Sequence, residues 1–357
     1  MKIVIVSTFR CGSLNIGDRL ITRSTISALN MLFEEDIKSS TVFRADKWES
    51  VESIVLKSDF VIFACLAIRR NIEKTYRFLP ELLKSGVPFG VLAAGTSLGV
   101  SSSSLSFERS FTDRDIKVLK DLTEKANFFS TRGALTYSAC KFLGLEKSVL
   151  SGDIAFFDDR FKNRRFDAPV KIRKIAISDP HYVSVYEESF NYLVSRLRNI
   201  FPNVEIHLLL HGKNDEAVKL ARKADVLVEQ IYRDSENGLD KYDNYDLHVG
   251  YRVHGHVSML VRRHPSYLLE QDGRGCDYGL TFHCKTSVPH YRVIKGDKYN
   301  QVSTTGIEIL LAMIVSDYEN GFSRFSSFNQ QIYKFVSSNL ELIRTISDSD
   351  SICKCIS

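Results

Sequence analysis

The sequence predicts an α/β protein built from two successive doubly wound halves that face a cleft, followed by C-terminal helices. Three observations carry that expectation. Short apolar runs rich in Val, Ile and Phe alternate with stretches of helical periodicity, the pattern of parallel strands buried on both faces and joined by helical crossovers. The alternation stops at a charged, proline-containing stretch, residues 159–173, and then restarts. The length is 357 residues, which suits two domains at roughly 150 residues apiece.

In the first half, residues 1–158, strands are expected over Lys2–Ser7, Phe60–Ala64, Phe89–Ala93 and Asn127–Ser130, with a strand-like Ser148–Leu150. Helices are expected over Arg19–Leu32, Ile72–Leu83, Asp113–Glu124 and Leu135–Phe142. Residues 159–173 read as the linker. In the second half, residues 174–320, strands are expected over Lys174–Ser178, Glu205–Leu210, Leu227–Glu229, Leu247–Val249 and Ser266–Glu270. The matching helices are Val185–Ile200, Asp215–Arg222, Val253–Arg262 and Thr304–Val315. The last segment, 321–357, carries an amphipathic helix over Asn329–Ile346 and an expected mobile tail.

Hydrophobic residues make up 44% and charged residues 25%, which excludes a disordered, collagen-like or disulfide-scaffold chain. The net charge of +5 is spread along the chain. It favours anionic small molecules or an anionic surface and does not call for nucleic acid. No apolar run reaches the ~18 residues of a spanning helix, and Ile3–Val6 is too short for a secretory leader. Seven scattered cysteines form no metal-like pair; Cys353 and Cys355 near the end read as a frayed tail rather than a metal site. A reducing, cytoplasmic setting follows.

Ligands of such sheets sit beyond the carboxyl ends of the strands, so the residues just after strands carry the functional reading. Asn15-Ile16-Gly17-Asp18 follows the first strand and opens a helix whose free N–H groups can hold an anion; alone, an ordinary loop with an Asp cap accounts for it better. Ser130-Thr131-Arg132-Gly133 places an arginine before a helix, where it opposes the helix dipole and suits a bidentate grip on phosphate or carboxylate. Ser151-Gly152-Asp153 ends the first half, either facing the cleft or as a plain turn. His211-Gly212-Lys213-Asn214-Asp215 sets a histidine at a strand's carboxyl end. Asp246 through His256 is the densest polar constellation, with Arg252, His254 and His256 at a helix start. Arginine offers a fork of donors, and histidine can act as acid or base near neutrality. His254-x-His256 is discounted as a metal pair because alternate residues point to different faces. Asp272 through Asp277 reads as a mobile ligand loop or a surface turn. The serine run Ser101–Ser104 reads as a flexible loop that could cover a substrate.

Taken in order, these segments resemble the polysaccharide pyruvyl transferase family. The resemblance rests on Asn15, Gly17 and Asp18; on Ser130 and Arg132 followed by a helix and Gly144; on Gly152, Asp153 and Ala155; on His211 and Asp215; and on Asp246, Arg252 and His254. It spans roughly residues 1–285. It implies a GT-B-like fold, two Rossmann-like domains around a cleft, with no obligatory cofactor or metal. It also implies transfer of a pyruvyl group from phosphoenolpyruvate to a sugar hydroxyl pair, giving a ketal in surface-polysaccharide synthesis. On this reading His254, Arg252 and Asp153 form the catalytic set. Asn15, Gly17, Asp18, Arg132, His211, Arg252 and His256 hold the donor. The acceptor is a saccharide or lipid-linked saccharide. Peripheral membrane contact through the C-terminal segment is permitted, with packing back across the first domain preferred.

One stretch departs from the family. Where relatives carry a glycine-rich loop, this chain reads Ala64-Cys65-Leu66-Ala67-Ile68-Arg69, whose side chains would crowd an approaching ligand. Two alternatives therefore stay open: a GT-B glycosyltransferase using a nucleotide-activated, acidic sugar, and a non-catalytic glycan-binding relative.

Overall fold

Strand β1 (Lys2–Ser7) is buried at every position but its first, which requires a central strand covered on both faces. A computed structural model describes residues 1–10, 15–34, 37–96, 111–291, 294–295, 298–299 and 302–353. In the first half it contains β1, β2 (Lys38–Phe43), β3 (Phe60–Phe63), β4 (Ala67–Ile68), β5 (Phe89–Thr96), β6 (Phe129–Thr131) and β7 (Ser148–Leu150). Helices α1 (Ile16–Phe33), α2 (Trp48–Leu56), α3 (Ile72–Thr75), α4 (Leu79–Ser85), α5 (Asp113–Lys125) and α6 (Ala134–Phe142) lie between them. The second half contains β8 (Lys174–Ser178), β9 (Glu205–Leu209), β10 (Leu227–Glu229), β11 (Leu247–Gly250), β12 (Ser266–Glu270), β13 (Ser287–Pro289) and a small hairpin, β14 (Ile294–Lys295) with β15 (Lys298–Tyr299). Its helices are α7 (Val183–Ile200), α8 (Asp215–Lys223), α9 (Val253–Val261), α10 (Gly273–Thr281), α11 (Thr305–Glu319) and α12 (Arg324–Cys353).

The first sheet runs β2-β1-β3-β5-β6-β7, with β4 added beside β5, and the second runs β10-β9-β8-β11-β12-β13. Every pairing in both is parallel. Strand order reverses between β1 and β3 in one sheet and between β8 and β11 in the other. At such reversals the flanking loops diverge and leave a crevice for ligands.

Several elements differ from expectation. Strand β2 and helix α2 carry no sequence signal: β2 is an edge strand exposed at its first four positions, so it has no apolar alternation. The single helix expected over 72–83 is two, α3 and α4; Pro80 falls in the first turn of α4, a position proline accepts because its missing N–H is not needed there. The stretch read as a mobile loop or turn at 272–277 is instead the start of α10, capped by the Asp272 side chain, which accepts from the Arg274 N–H. The glycines serve close packing: a Cβ at Gly279 would overlap the Glu270 carboxylate on β12. Helix α12 is also longer than the expected 329–346. Residues 101–104 and Cys355 lie outside the described residues.

Helix α12 returns across the first half. Asn339 Nδ2 donates to the carbonyls of Ser151 and Gly152 at 3.2 Å. Phe335, with Phe156 from the first half and Phe282 from the second, forms an aromatic cluster with centroids 5.4–6.3 Å apart. Such rings bury roughly 150–250 Å² each and add about 1 kcal/mol per pair beyond burial, so the cluster glues both halves and the last helix together. Its apolar side, including Phe328, Ile332, Ile343 and Ile346, is buried. Among the described residues no helix is long and apolar enough to cross a membrane.

Candidate functional site

Residues that follow β1, β6, β9, β11 and β12 line one space: Asn15, Arg132, His211, Tyr251, Arg252, Val253, His254, Gln271, Asp272 and Arg274. Parallel strands all end on the same side, so loops far apart in sequence meet there. The free volume between these groups is about 30 Å³, room for little more than a water. The halves are closed on one another around the charged groups.

The first half supplies the start of α1. The Asn15 side chain accepts from the Gly17 N–H at 3.2 Å, and the Ile16 N–H reaches across to the His211 carbonyl at 3.0 Å. Gly17 is required by close approach: a Cβ there would overlap His254 Nδ1 on α9. Asp18 is half-buried. Burial pushes its carboxyl up to about 6, against the opposing pull of Arg44, Arg274, Asn15 and Arg132. Arg132 is buried with its Nε 3.5 Å from Asp277 Oδ2, and that Nε makes no hydrogen bond.

The second half supplies the starts of α9 and α10. Arg252 precedes α9, which has no side-chain cap of its own, leaving first-turn N–H groups free for an anion. The Arg252 guanidinium grips Asp179 in bidentate fashion, Nε to Oδ1 at 3.1 Å and Nη2 to Oδ2 at 2.5 Å. Its Nη1 lies 3.2 Å from His181 Nδ1. Burial would raise the Asp179 carboxyl, but Arg252 outweighs it and holds the group below its usual range. Asp179 Oδ1 also accepts from the His211 N–H at 3.0 Å. His211 Nε2 meets the Tyr242 hydroxyl at 2.6 Å, and burial takes its pKa down to about 4. His254 is the most distinctive group. Burial, then Arg132, hold it neutral, well below the usual imidazole range. Its Nε2 is buried without a hydrogen-bond partner. Arg274 is paired with Asp272 through Nη2 at 2.5 Å.

Of the residues expected from sequence, Asn15, Arg132, His211, Arg252 and His254 line the cleft, and Gly17 and Asp18 stand at its edge. Asp153 does not line it. Its Oδ1 caps the Ala155 N–H at 2.8 Å and its Oδ2 accepts from the Tyr278 hydroxyl at 2.5 Å, so it sits behind Arg132. His256 also lies elsewhere. Two helical positions past His254, it faces β12, with Nδ1 2.7 Å from Ser266 Oγ, because a step of two residues turns a helix to its opposite side. Tyr251 and Arg274 fall inside the candidate segments 246–256 and 272–277, whereas Asp179 and Gln271 lie outside every candidate segment. The carboxyl-end rule applied to β8 would have found Asp179.

The missing glycine loop has a definite structure. Leu66 is buried, its carbonyl accepts from the Gly95 N–H at 2.8 Å, and β4 extends the sheet beside β5. Cys65 remains at the β3 end, its thiol pushed up to about 12 by burial, with Arg132 as its strongest opposing charge. Among the described residues no three His, Cys, Asp or Glu side chains converge to hold a metal.

No curated protein sequence matches the chain significantly. Among solved structures, the chain is similar to a UDP-GlcNAc 2-epimerase from Neisseria meningitidis bound to UDP-GlcNAc: 9% identity, TM-score 0.51, covering 98% of this chain and 100% of that one. It is also similar to a protein from Listeria monocytogenes assigned as a UDP-N-acetylglucosamine 2-epimerase, at 10% identity and TM-score 0.52, covering 98% and 96%. These likenesses establish a GT-B-like fold. The model of one family, polysaccharide pyruvyl transferase, matches residues 15–258, a span that runs from the cap of α1 through Arg252 and His254, and the chain therefore belongs to the polysaccharide pyruvyl transferase family.

Proposed function

We propose that the protein transfers a pyruvyl group from phosphoenolpyruvate to two hydroxyls of a saccharide, forming a ketal and releasing phosphate. The observation that carries this reading is the neutral His254, whose buried and unpartnered Nε2 sits among Arg132, Arg252 and Arg274. A small donor that carries both a phosphate and a carboxylate suits three guanidinium groups and the uncapped start of α9. Asp18, with its acidity near 6, is a suitable acid for the methylene carbon, and His254 a suitable base for a sugar hydroxyl. Burial drives these two groups to opposite roles near neutral pH.

The chemistry balances. Asp18 protonates the donor's methylene carbon to a methyl group. A sugar hydroxyl, deprotonated by His254, bonds to the adjacent carbon. The carbon–oxygen bond to phosphate breaks, and the second hydroxyl closes the ketal. Of the two hydroxyl protons, one replaces that given by Asp18 and one leaves with phosphate. Cationic guanidinium groups stabilise the departing phosphate. With so little free space in the cleft, the halves must part to admit either substrate.

The test is phosphate release from phosphoenolpyruvate in the presence of a saccharide preparation, with the acid-labile ketal read by mass spectrometry. The expected result is equal phosphate and ketal, reduced about 10²–10⁴-fold in His254→Ala. Nucleotide release from a nucleotide sugar, with no phosphate from phosphoenolpyruvate, would make the protein a glycosyltransferase.

A further inference from the structure

We propose that Asp277, carried by the second half, is a positioning residue that completes the Arg132 anion site only when the two halves are closed. The donor part of this inference rests on the reading above. The two cleft arginines that precede helices are held differently. Arg252 is fixed by Asp179, both in the second half, so its orientation survives opening. Arg132 belongs to the first half, and the carboxylate beside it, Asp277, arrives from across the cleft on α10.

The same carboxylate reaches the start of α6. Asp277 Oδ1 accepts from the Thr136 N–H at 3.1 Å and Oδ2 accepts from the Thr136 hydroxyl at 2.5 Å. One turn later, Thr281 Oγ1 accepts from the Ala134 N–H at 2.8 Å while donating to the Asp277 carbonyl at 2.5 Å. Helix α6 begins after Gly133 and has no side-chain cap of its own. Its first-turn N–H groups, which every helix leaves without internal partners, are satisfied from the other half. The neighbour of Asp277, Tyr278, donates to Asp153, so α10 docks on both segments that flank Arg132. Three residues before Asp277, the same helix places Arg274 in the cleft. One rigid element thus delivers an anion-binding arginine and orients a second.

Asp277 is wholly buried. A carboxylate withdrawn from water needs a cation and donors to compensate, and Arg132 with the α6 start supplies both. Opening the cleft removes those partners together. Arg132 then loses the carboxylate that faces its guanidinium, and a guanidinium without that counter-charge is held in one orientation less firmly for an anion.

Two measurements test this on the full chain. The first is hydrogen exchange of the amides at 133–137 without ligand. Asp277→Asn and, separately, Thr281→Val should speed that exchange at least tenfold while β1 and β8 keep their protection; unchanged exchange at 133–137 in both variants overturns the proposal. The second is titration with phosphoenolpyruvate. Asp277→Asn should weaken binding tenfold or more when Arg132 is present and less than twofold in an Arg132→Ala background. Equal weakening in both backgrounds would show that Asp277 does not act through Arg132 and overturns that role. If the unaltered protein does not bind phosphoenolpyruvate, the donor assignment fails, and the exchange measurement still decides whether Asp277 closes the halves.

Discussion

His254 and Asp18 illustrate one physical cause with opposite chemical results. Burial disfavours charge, so it lowers the imidazole's proton affinity well below its usual value and raises the carboxyl's to about 6. The imidazole is thereby kept unprotonated at neutral pH, and the carboxyl can hold a proton up to about pH 6. A consequence follows for Asp18→Asn. Above pH 6 the native Asp18 carries a buried negative charge that the amide lacks, so the variant should melt higher at pH 7.5, by up to about 2 kcal/mol. At pH 5.5, where the native carboxyl is mostly protonated and the unfolded one is not, the difference should be smaller. Activity should be lost at every pH. Thermal melts at the two pH values check the sign; a variant that melts lower at pH 7.5 would show that ionised Asp18 stabilises the fold through its arginines. Such a gain in stability with a loss of function marks a group kept for chemistry.

At the scale of elements, the cleft is a meeting of helix starts. The beginning of α1 abuts α9 through Gly17 and His254, and the beginning of α6 is capped by α10. Gly17→Ala should therefore push the imidazole out of place. We expect kcat to fall at least tenfold and stability to drop by roughly 1–3 kcal/mol, the usual cost of overpacking. Assay and denaturant melts measure both. Sequence reading located most of these elements because parallel strands buried on two faces leave plain apolar runs. It brought together Asn15, Gly17, Asp18, Arg132, His211, Arg252 and His254 because every one follows a strand. It could not separate His254 from His256 without the helical phase of α9, which tertiary packing sets. The α10 segment reads as a loop or turn because Gly273 and Gly275 suggest flexibility, whereas Gly275, like Gly279, lies close against Glu270. Edge strand β2 was invisible because solvent exposure erases the pattern that marks a strand.

Across the described residues, burial lowers seven histidines, His181 and His264 among them and five others further: His211 and His290 near 4, His256 near 3, and His248 and His254 well below the usual value. In the unfolded chain each titrates near 6.5. Below that pH the unfolded state takes up protons that the native state refuses, so stability falls as pH drops. At about pH 5 the five together contribute a slope of roughly 7 kcal/mol per pH unit. Asp18 and Asp277, whose carboxyls burial raises, oppose this with one proton each. Against a typical total of about 5–15 kcal/mol, the protein should unfold near pH 5, a transition that circular dichroism will follow. Retention of the native signal to pH 4 would mean that these imidazoles accept protons in the folded state.

The closed cleft, the three guanidinium groups and the orphaned Nε2 of His254 all point to one ligand chemistry. Calorimetric titration with phosphoenolpyruvate, run beside uridine and cytidine nucleotide sugars, tests it most directly. Saturable one-to-one binding of phosphoenolpyruvate, weakened at least tenfold in Arg274→Ala and not reproduced by the nucleotide sugars, is the predicted result. Binding of a nucleotide sugar with no heat from phosphoenolpyruvate would contradict the pyruvyl-transfer account.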